Sequence, residues 1–163
     1  MRNLPHLQPT SGKSRSRGKA TATTLGVPYF GTSLVPSTPV RTLLVQDRIP
    51  ANQPVQRAIE RCPAIALLGT VWTLERVHQA MRMQSPELVV VDWNLAAATA
   101  SHVCNVIKVR LLAPKVIAVV PTDDLFHRHG AALAGADTLI PRHDIDAGFE
   151  SALALLFPDR APN

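Results

Sequence analysis

The sequence lacks most of the short motifs that identify enzymes and ligand-binding sites. Its only two cysteines, Cys62 and Cys104, have no C-x-x-C spacing, and its six histidines form no H-E-x-x-H motif or Cys/His cluster. It contains no G-x-G-x-x-G sequence and no G-x-x-x-x-G-K-[ST] phosphate loop. These absences argue against a disulfide scaffold and a zinc site, and they predict two free, buried thiols in a reducing compartment.

Long apolar runs and N-terminal acidic residues are missing as well. No run of about 18 apolar residues occurs, so we expect no transmembrane helix, and the N-terminus lacks the apolar centre of a secretory signal peptide. Residues 1–46 contain six basic and no acidic residues, whereas the rest of the chain contains 11 basic and 12 acidic residues. Because the net charge of +5 resides in the N-terminal segment, we expect no nucleic-acid-binding surface on the remainder.

The first 39 residues have the composition of a disordered basic tail. They are rich in Ser, Thr, Gly, Pro and Arg and show no sustained periodicity, so they bury too little apolar surface to offset the entropy of ordering. Two alternatives are an organelle transit peptide, although its amphipathic helix is missing, and a tail with weak, salt-sensitive affinity for polyanions. We favour a simple linker.

From residue 40 onward, short apolar runs alternate with segments of helical periodicity. The apolar runs predict strands at residues 40–45, 64–68, 88–92, 115–120 and 138–140. Such alternation predicts a parallel five-stranded sheet with helices on both faces and right-handed crossovers. The predicted fold class is therefore α/β: a flavodoxin-like, doubly wound (βα)5 sandwich of three layers. We assign residues 40–158 to this domain and residues 159–163 to a short C-terminal tail.

Several positions have specific expected roles within these elements. Gly69 is expected to close the second strand, and Thr73 to cap the second helix. Leu111 continues the apolar period of the third helix, together with Val103, Val106 and Ile107. The alanine-rich stretch at residues 96–100 favours extension of the third helix towards the end of the third strand.

Asp92 is the main candidate for a functional residue in this sequence. It follows four consecutive apolar residues at the carboxyl end of the predicted third strand, and Asp47 follows the first strand. In open α/β sheets ligands bind at that edge, and two carboxylates that converge there need a cation or a shared proton. The alternative is that Asp92 only ends its strand and faces water.

Four segments carry a resemblance to a known family. They are LLVQD at 43–47, LVVVD at 88–92, VIAVV at 116–120 and GADTLIPR at 135–142. Residues 40–157 resemble response-regulator receiver domains of the CheY-like superfamily, most closely those that precede LuxR-type DNA-binding domains. The resemblance covers about three quarters of the chain. It implies a cytoplasmic, non-enzymatic phosphoprotein of two-component phosphorelay signal transduction.

The resemblance also implies a metal and phosphoryl site. In the family, two acidic residues after the first strand and an Asp after the third hold Mg²⁺, and the latter Asp accepts a phosphoryl group. When these roles are transferred to this sequence, Asp92 is the phosphoacceptor candidate. The candidate metal ligands are Asp47, Asp92 and the backbone carbonyl of Asn94. Gln46 occupies the first acidic position, which removes one negative charge and weakens the expected Mg²⁺ site.

Two further positions depart from the family pattern. Val120 stands where the family has a Ser or Thr that contacts phosphoryl oxygens, and Arg142 stands where it has a Lys. Arg142 keeps the positive charge on a planar fork. Thr122 is a second phosphoryl-contact candidate, if slippage around Pro121 brings its hydroxyl into the site.

Three functions remain open at this point. The one we favour is an atypical receiver, or pseudo-receiver, with weak or absent phosphorylation. It binds a histidine kinase or other signalling protein, and an output protein through its helix 4, strand 5 and helix 5 face. Phe126, Leu139 and Ile140 are candidate parts of that face. The second is a working stand-alone receiver phosphorylated on Asp92 by a histidine kinase. The third is a small doubly wound enzyme or nucleotide binder, which the absent phosphate loops disfavour. No DNA-binding helix pair follows Phe157, so any transcriptional output is expected through a partner.

Overall fold

The computed structural model describes residues 38–47, 54–95 and 97–160. Nearly all of the predicted N-terminal tail, residues 1–39, lies outside this part of the chain, as do residues 161–163. The predictions made for those segments therefore stay predictions.

Strands and helices alternate along the described chain as the apolar pattern predicts. The strands are β1 (Val40–Val45), β2 (Ile65–Val71), β3 (Leu88–Asp92), β4 (Lys115–Val120) and β5 (Thr138–Pro141). The helices are α1 (Pro54–Arg61), α2 (Leu74–Gln84), α3 (Ala97–Lys108), α4 (Leu125–Leu133) and α5 (Ile145–Leu156). Short 3-10 helices follow at Arg142–Asp144 and Pro158–Arg160. None of the helices in the described ranges is long and apolar enough to cross a membrane.

The five strands form one parallel sheet in the order β2-β1-β3-β4-β5. One apolar core lies between the sheet and α2, α3 and α4, and a second lies between the sheet and α1 and α5. Alternate residues of β3 enter the two cores, so Leu88 and Val90 contact one and Val89 and Val91 the other. This arrangement confirms the predicted flavodoxin-like doubly wound fold.

The prediction that Gly69 closes the second strand is wrong. β2 runs from Ile65 to Val71, and its pairing with β1 shifts register between Thr42 and Leu43. Thr42 pairs with Leu67 and Leu43 pairs with Gly69, so one residue of β2 bulges out of the ladder. A bulge absorbs the extra residue and lets the strand continue, which the local glycine signal does not reveal.

The prediction that Leu111 belongs to the inward face of the third helix is also wrong. α3 ends at Lys108, and the Leu111 side chain is 99% exposed. The residue before Pro114 is disfavoured in helical conformation. In addition, the Lys115 amide donates to the Glu87 carbonyl at 2.9 Å, which requires an extended chain there. At its other end α3 begins at Ala97, in agreement with the predicted extension towards the third strand.

Two local predictions are confirmed. The Thr73 side chain caps α2, with Oγ1 accepting a hydrogen bond from the Arg76 amide at 3.3 Å. Cys62 and Cys104 are free thiols as predicted; Cys104 is buried, but Cys62 is only half-buried, so the prediction of burial is wrong for Cys62. Burial raises the pKa of the Cys104 thiol to about 12, so this thiol stays protonated and unreactive at neutral pH.

The last described turn is anchored by an ion pair whose contribution depends on pH. Both Arg160 guanidinium Nη atoms donate to the Glu87 carboxylate, at 2.6 and 3.1 Å, and this pairing holds the pKa of Glu87 below its ordinary value. A lowered folded-state pKa stabilises the fold above the unfolded pKa, and that stability is lost as pH falls through the folded value. We expect Arg160→Gln to lower the free energy of unfolding slightly at pH 7, because a solvent-exposed ion pair contributes little. Urea unfolding at neutral and strongly acidic pH checks this, and an equal loss at both would contradict it.

Substitution by alanine is expected to have opposite effects on stability at two helical glycines. A Cβ at Gly148 in α5 would lie 2.4 Å from Cγ2 of the buried Ile140, whereas one at Gly130 in α4 would lie 3.9 Å from the Trp93 ring. Gly148→Ala should destabilise the protein by about 1–3 kcal/mol through overpacking. Gly130→Ala should stabilise it by up to about 1 kcal/mol, because alanine is the better helix former. Thermal unfolding of both variants checks the pair, and a shared sign would show that α5 does not pack on β5 as described.

Candidate functional site

The candidate site lies where β1 and β3 end side by side. The last residues paired between these strands are Val45 and Val91, so the next residues, Gln46 and Asp92, occupy neighbouring positions at the carboxyl edge. Both are nearly buried, with 1% of Gln46 and 8% of Asp92 exposed. They are two of the few buried polar residues in the described chain, which indicates specific partners for both.

Asp92 is held by two donors. Its Oδ1 atom accepts a hydrogen bond from the Asn94 backbone amide at 3.0 Å and another from a guanidinium Nη of Arg142. Arg142 opens the 3-10 helix that follows β5, so the pair joins the ends of two strands separated by β4. The side chains of Arg142 and Asp92 are only 23% and 11% exposed. The negative charge of the Asp92 carboxylate is therefore neutralised by Arg142 of the same chain.

The Gln46 side chain is hydrogen-bonded to the neighbouring helix α1. Its Nε2 atom donates to Oε1 of Gln56 in α1 at 3.1 Å, and Gln56 in turn donates to Glu60 at 2.8 Å. An amide thus occupies the position where the resemblance calls for a carboxylate. Asp47, the next residue, is exposed.

This set of residues does not fit a tight Mg²⁺ site. Within the described ranges, no group of three or more His, Cys, Asp or Glu side chains is placed to hold a metal ion. Mg²⁺ prefers several oxygen ligands of high charge density, and here Asp92 is already paired with a cation. The predicted ligands Asp47, Asp92 and the Asn94 carbonyl stay a prediction.

Val120, at the Ser/Thr position of the family, and the phosphoryl-contact candidate Thr122 differ in their surroundings. Val120 is fully buried at the end of β4 and pairs with Pro141, so no hydroxyl is present there. The Thr122 hydroxyl donates to Oδ2 of Asp124 at 2.6 Å and lies 3.2 Å from Nδ1 of His127. Asp124 is the N-cap of α4, so Thr122 belongs to the start of that helix. Its role as a phosphoryl contact stays untested.

The ion pair between Arg142 and Asp92 is the feature that sequence reasoning missed. Arg142 is predicted above as a contact for a phosphoryl group, not as the partner of the carboxylate itself. Opposite charges at the carboxyl ends of two strands in one parallel sheet are the signal that points to it. The two residues are 50 positions apart, so the pairing depends on strand order, which local patterns do not give.

Trp93 connects this edge of the sheet with α4. Its side chain is 5% exposed and belongs to the core beneath α2, α3 and α4. Its amide donates to the Val119 carbonyl at 2.8 Å. The ring lies beside Gly130, at 3.9 Å from the place of a Cβ there. Trp93, the residue next to Asp92, therefore packs beneath α4.

The outer side of α4 carries an apolar patch. The α4 patch comprises Leu125, Phe126 and Leu133, which are 80%, 75% and 75% exposed, and only Ala131 of this helix is buried. A groove between them is also lined by His129 and Gly130. Of the two β5 residues predicted for this face, Ile140 is 1% exposed and belongs to the core, so that prediction is wrong for Ile140. Leu139 is partly buried against the other core.

Solved structures with the same fold are response-regulator receiver domains. A LuxR-family two-component response regulator from Aurantimonas sp. SI85-9A1 is similar over 76% of this chain and 89% of that one, with a TM-score of 0.64 and 20% identity. The non-phosphorylated receiver domain of the stress response regulator RcsB from Escherichia coli matches over 77% of this chain and 100% of its own, with a TM-score of 0.61 and 9% identity. The response regulator domain of Thermotoga maritima CheB matches over 77% and 98%, with a TM-score of 0.58 and 13% identity.

These similarities show that the chain has the receiver fold. No protein-family model matches the sequence, and no curated protein matches it. The predicted resemblance is therefore confirmed at the level of the fold. Eight of the similar structures are 8–20% identical to this chain, so the chemistry of the site depends on the residues present here.

Proposed function

We propose that this chain is an atypical receiver domain of two-component signal transduction, which acts through protein–protein interaction and is phosphorylated weakly or not at all. The single observation that carries the proposal is the ion pair between Arg142 and Asp92. A receiver's acceptor carboxylate has to be available to a cation and to a phosphoryl donor. Here that carboxylate has a protein cation as its partner.

The electrostatics of the site support weak phosphorylation. Phosphoryl transfer depends on positive charge that neutralises the equatorial oxygens of the transferred group, and Mg²⁺ supplies most of it in receivers. Replacement of an acidic ligand by Gln46 removes one unit of negative charge from the metal position. Arg142 adds a competing positive charge at the same carboxylate. Both changes lower the affinity for a divalent cation.

The α4 patch supports a role in protein binding. Three large apolar side chains stand exposed on a helix of nine residues, and Leu155 on α5 is 67% exposed. Exposed apolar clusters of this kind mark interaction surfaces. We infer that the patch binds a signalling protein, either a histidine kinase or an output protein. Such signalling needs no catalytic turnover, and the two free thiols agree with a cytoplasmic location.

The alternative is a working receiver that a histidine kinase phosphorylates on Asp92. One observation favours it: the acceptor stands at the same strand end as in receivers, and the Asn94 amide already donates to it. In that case Arg142 would release Asp92 when the phosphoryl group arrives and would then contact the phosphoryl oxygens.

Amide NMR of the full chain distinguishes the two functions. The protein is titrated first with Mg²⁺ and then with beryllofluoride, which mimics an aspartyl phosphate, and Asp92→Asn serves as the control. An atypical receiver should show no saturable shifts, or shifts only at millimolar Mg²⁺. Saturable shifts at Asp47 and Asp92 that extend to Trp93 and α4, and that disappear in Asp92→Asn, would establish the working receiver instead.

A further inference from the structure

The turn between α3 and β4 carries the three most exposed large hydrophobic side chains of the described chain. Val109, Leu111 and Leu112 are 83%, 99% and 92% exposed within four residues. The turn is held at its base, because Nζ of Lys108 donates both to the Pro114 carbonyl, at 3.3 Å, and to the Asp137 carboxylate. A fixed turn therefore projects three aliphatic side chains into solvent. We call residues 109–112 the aliphatic turn.

The charge around the aliphatic turn is positive. Arg110 lies within it and Lys115 follows it, and the segment from residue 108 to residue 115 contains no acidic residue. The two carboxylates that approach it from neighbouring elements are already paired, Asp137 with Lys108 and Glu87 with Arg160. The unbalanced charges at the aliphatic turn are thus both cations.

The basic N-terminal segment precedes β1 in the sequence, and β1 begins at the same edge of the sheet as β4. In a parallel sheet all strands begin at one edge, so Val40 at the start of β1 and Lys115 at the start of β4 lie there together. One strand separates them, which corresponds to roughly 10 Å. The 37 residues before Thr38 carry five basic and no acidic residues. The candidate phosphoryl site with Asp92 lies at the opposite edge.

We propose that this edge docks on an anionic lipid surface, with Leu111 and Leu112 inserted between headgroups. Aliphatic side chains at the tip of a turn gain by entering the headgroup boundary, and flanking cations gain near acidic lipids. A nucleic acid fits less well, because single strands are bound by aromatic stacking and the turn has no aromatic residue. Docking by this edge leaves Asp92, at the opposite edge of the sheet, facing away from the membrane.

The test is co-sedimentation of the full chain with vesicles. Wild-type protein should sediment with vesicles of phosphatidylcholine and phosphatidylserine in equal parts and remain in solution with phosphatidylcholine alone. The double variant Leu111→Ser, Leu112→Ser should bind the anionic vesicles at least about tenfold more weakly, since two aliphatic side chains no longer leave water. Arg110→Gln with Lys115→Gln should weaken binding at least about fivefold, because each cation near the surface contributes.

A control alters an exposed hydrophobic side chain at the opposite edge of the sheet. Trp72 is 39% exposed and directly follows β2 at the carboxyl edge, so Trp72→Ser should bind as wild type does. Absence of anionic-vesicle binding, equal binding by the Leu111/Leu112 variant, or equal loss in the control variant would each overturn the proposal. Analytical ultracentrifugation is run in parallel. Self-association that the Leu111/Leu112 variant abolishes would assign the turn to a second copy of the chain instead.

Discussion

The double variant Gln46→Asp, Val120→Thr should bind Mg²⁺ at least about tenfold more tightly than the wild-type protein and should accept beryllofluoride. A new carboxylate about 4 Å from a divalent cation contributes about 2 kcal/mol even at the dielectric constant of water, and more where solvent is partly excluded. Gln46 is 1% exposed and neighbours Asp92 across two paired strands, so a carboxylate introduced at this position would face the same space. Trp93 fluorescence, measured in a Trp72→Phe background, reports binding next to Asp92.

The single variants separate the two effects. Gln46→Asp alone should account for the gain in Mg²⁺ affinity, because a hydroxyl at Val120 is not a metal ligand. Val120→Thr alone should leave Mg²⁺ affinity unchanged and should cost about 1–3 kcal/mol of stability, since it places a hydroxyl in a fully buried position. Adding Asp92→Asn to the double variant should abolish both responses. If Mg²⁺ affinity does not rise in Gln46→Asp, the match of residue 46 to the acidic position of receivers is wrong.

Phe149→Ala should lower the free energy of unfolding by about 3–5 kcal/mol, the largest single effect on stability that we expect. The Phe149 ring is 1% exposed and packs between α5 and the sheet with residues of β1, β3 and β4. Its removal leaves a cavity that neighbouring β-branched strand residues cannot fill by rotation. Denaturant unfolding followed by far-ultraviolet circular dichroism measures the loss.

Phe126→Ala is the matched control, since it removes the same side chain from a surface. Phe126 is 75% exposed, so its removal should change the unfolding free energy by less than about 0.5 kcal/mol. If the α4 patch binds a signalling protein, this variant should instead lose that partner in a pull-down in which the wild type retains it. A loss of stability close to that of Phe149→Ala would show that the α4 patch is not a free surface.

The proposed membrane-docking surface and the candidate phosphoryl site lie at opposite edges of the sheet. The aliphatic turn and the start of β1, which the basic segment precedes in the sequence, lie at the amino edge of the sheet, whereas Asp92 and Arg142 lie at the carboxyl edge. Trp93 links that carboxyl edge to Gly130 beneath the α4 patch. Whatever displaces Arg142 from Asp92 therefore acts one residue away from a side chain that contacts α4.

The order of elements was predictable because it depends on local patterns. Buried parallel strands are continuous apolar runs, and amphipathic helices repeat at three and four residues, so each element is visible in its own segment. β1, β3 and β4 match their predicted bounds, and Thr73 caps α2 as expected. β5 ends one residue later than predicted, at Pro141, and β2 ends three residues later, at Val71. The bulge in β2 arises from pairing with β1 and not from its own residues.

Apolar periodicity does not tell which apolar residues will be covered. Leu125, Phe126 and Leu133 fit an amphipathic helix as well as any buried residue does, yet α4 covers the sheet with Ala131 and leaves them exposed. Leu111 fits the period of α3, but the helix ends at Lys108 and releases it into solvent. Exposure is decided by the distance and angle at which each helix meets the sheet, and no single segment encodes these.

The sequence by itself determined the doubly wound fold, the position of Asp92 at the end of the central strand, and the concentration of positive charge in the first 46 residues. Only the tertiary structure decided that Arg142 neutralises Asp92 and that Gln46 is bound to α1. The physical reason is the separation along the chain between the residues that interact. Hydrophobic patterns and caps act over a few residues, whereas an ion pair across 50 residues exists only once strand order and register have brought two distant chain ends to the same edge.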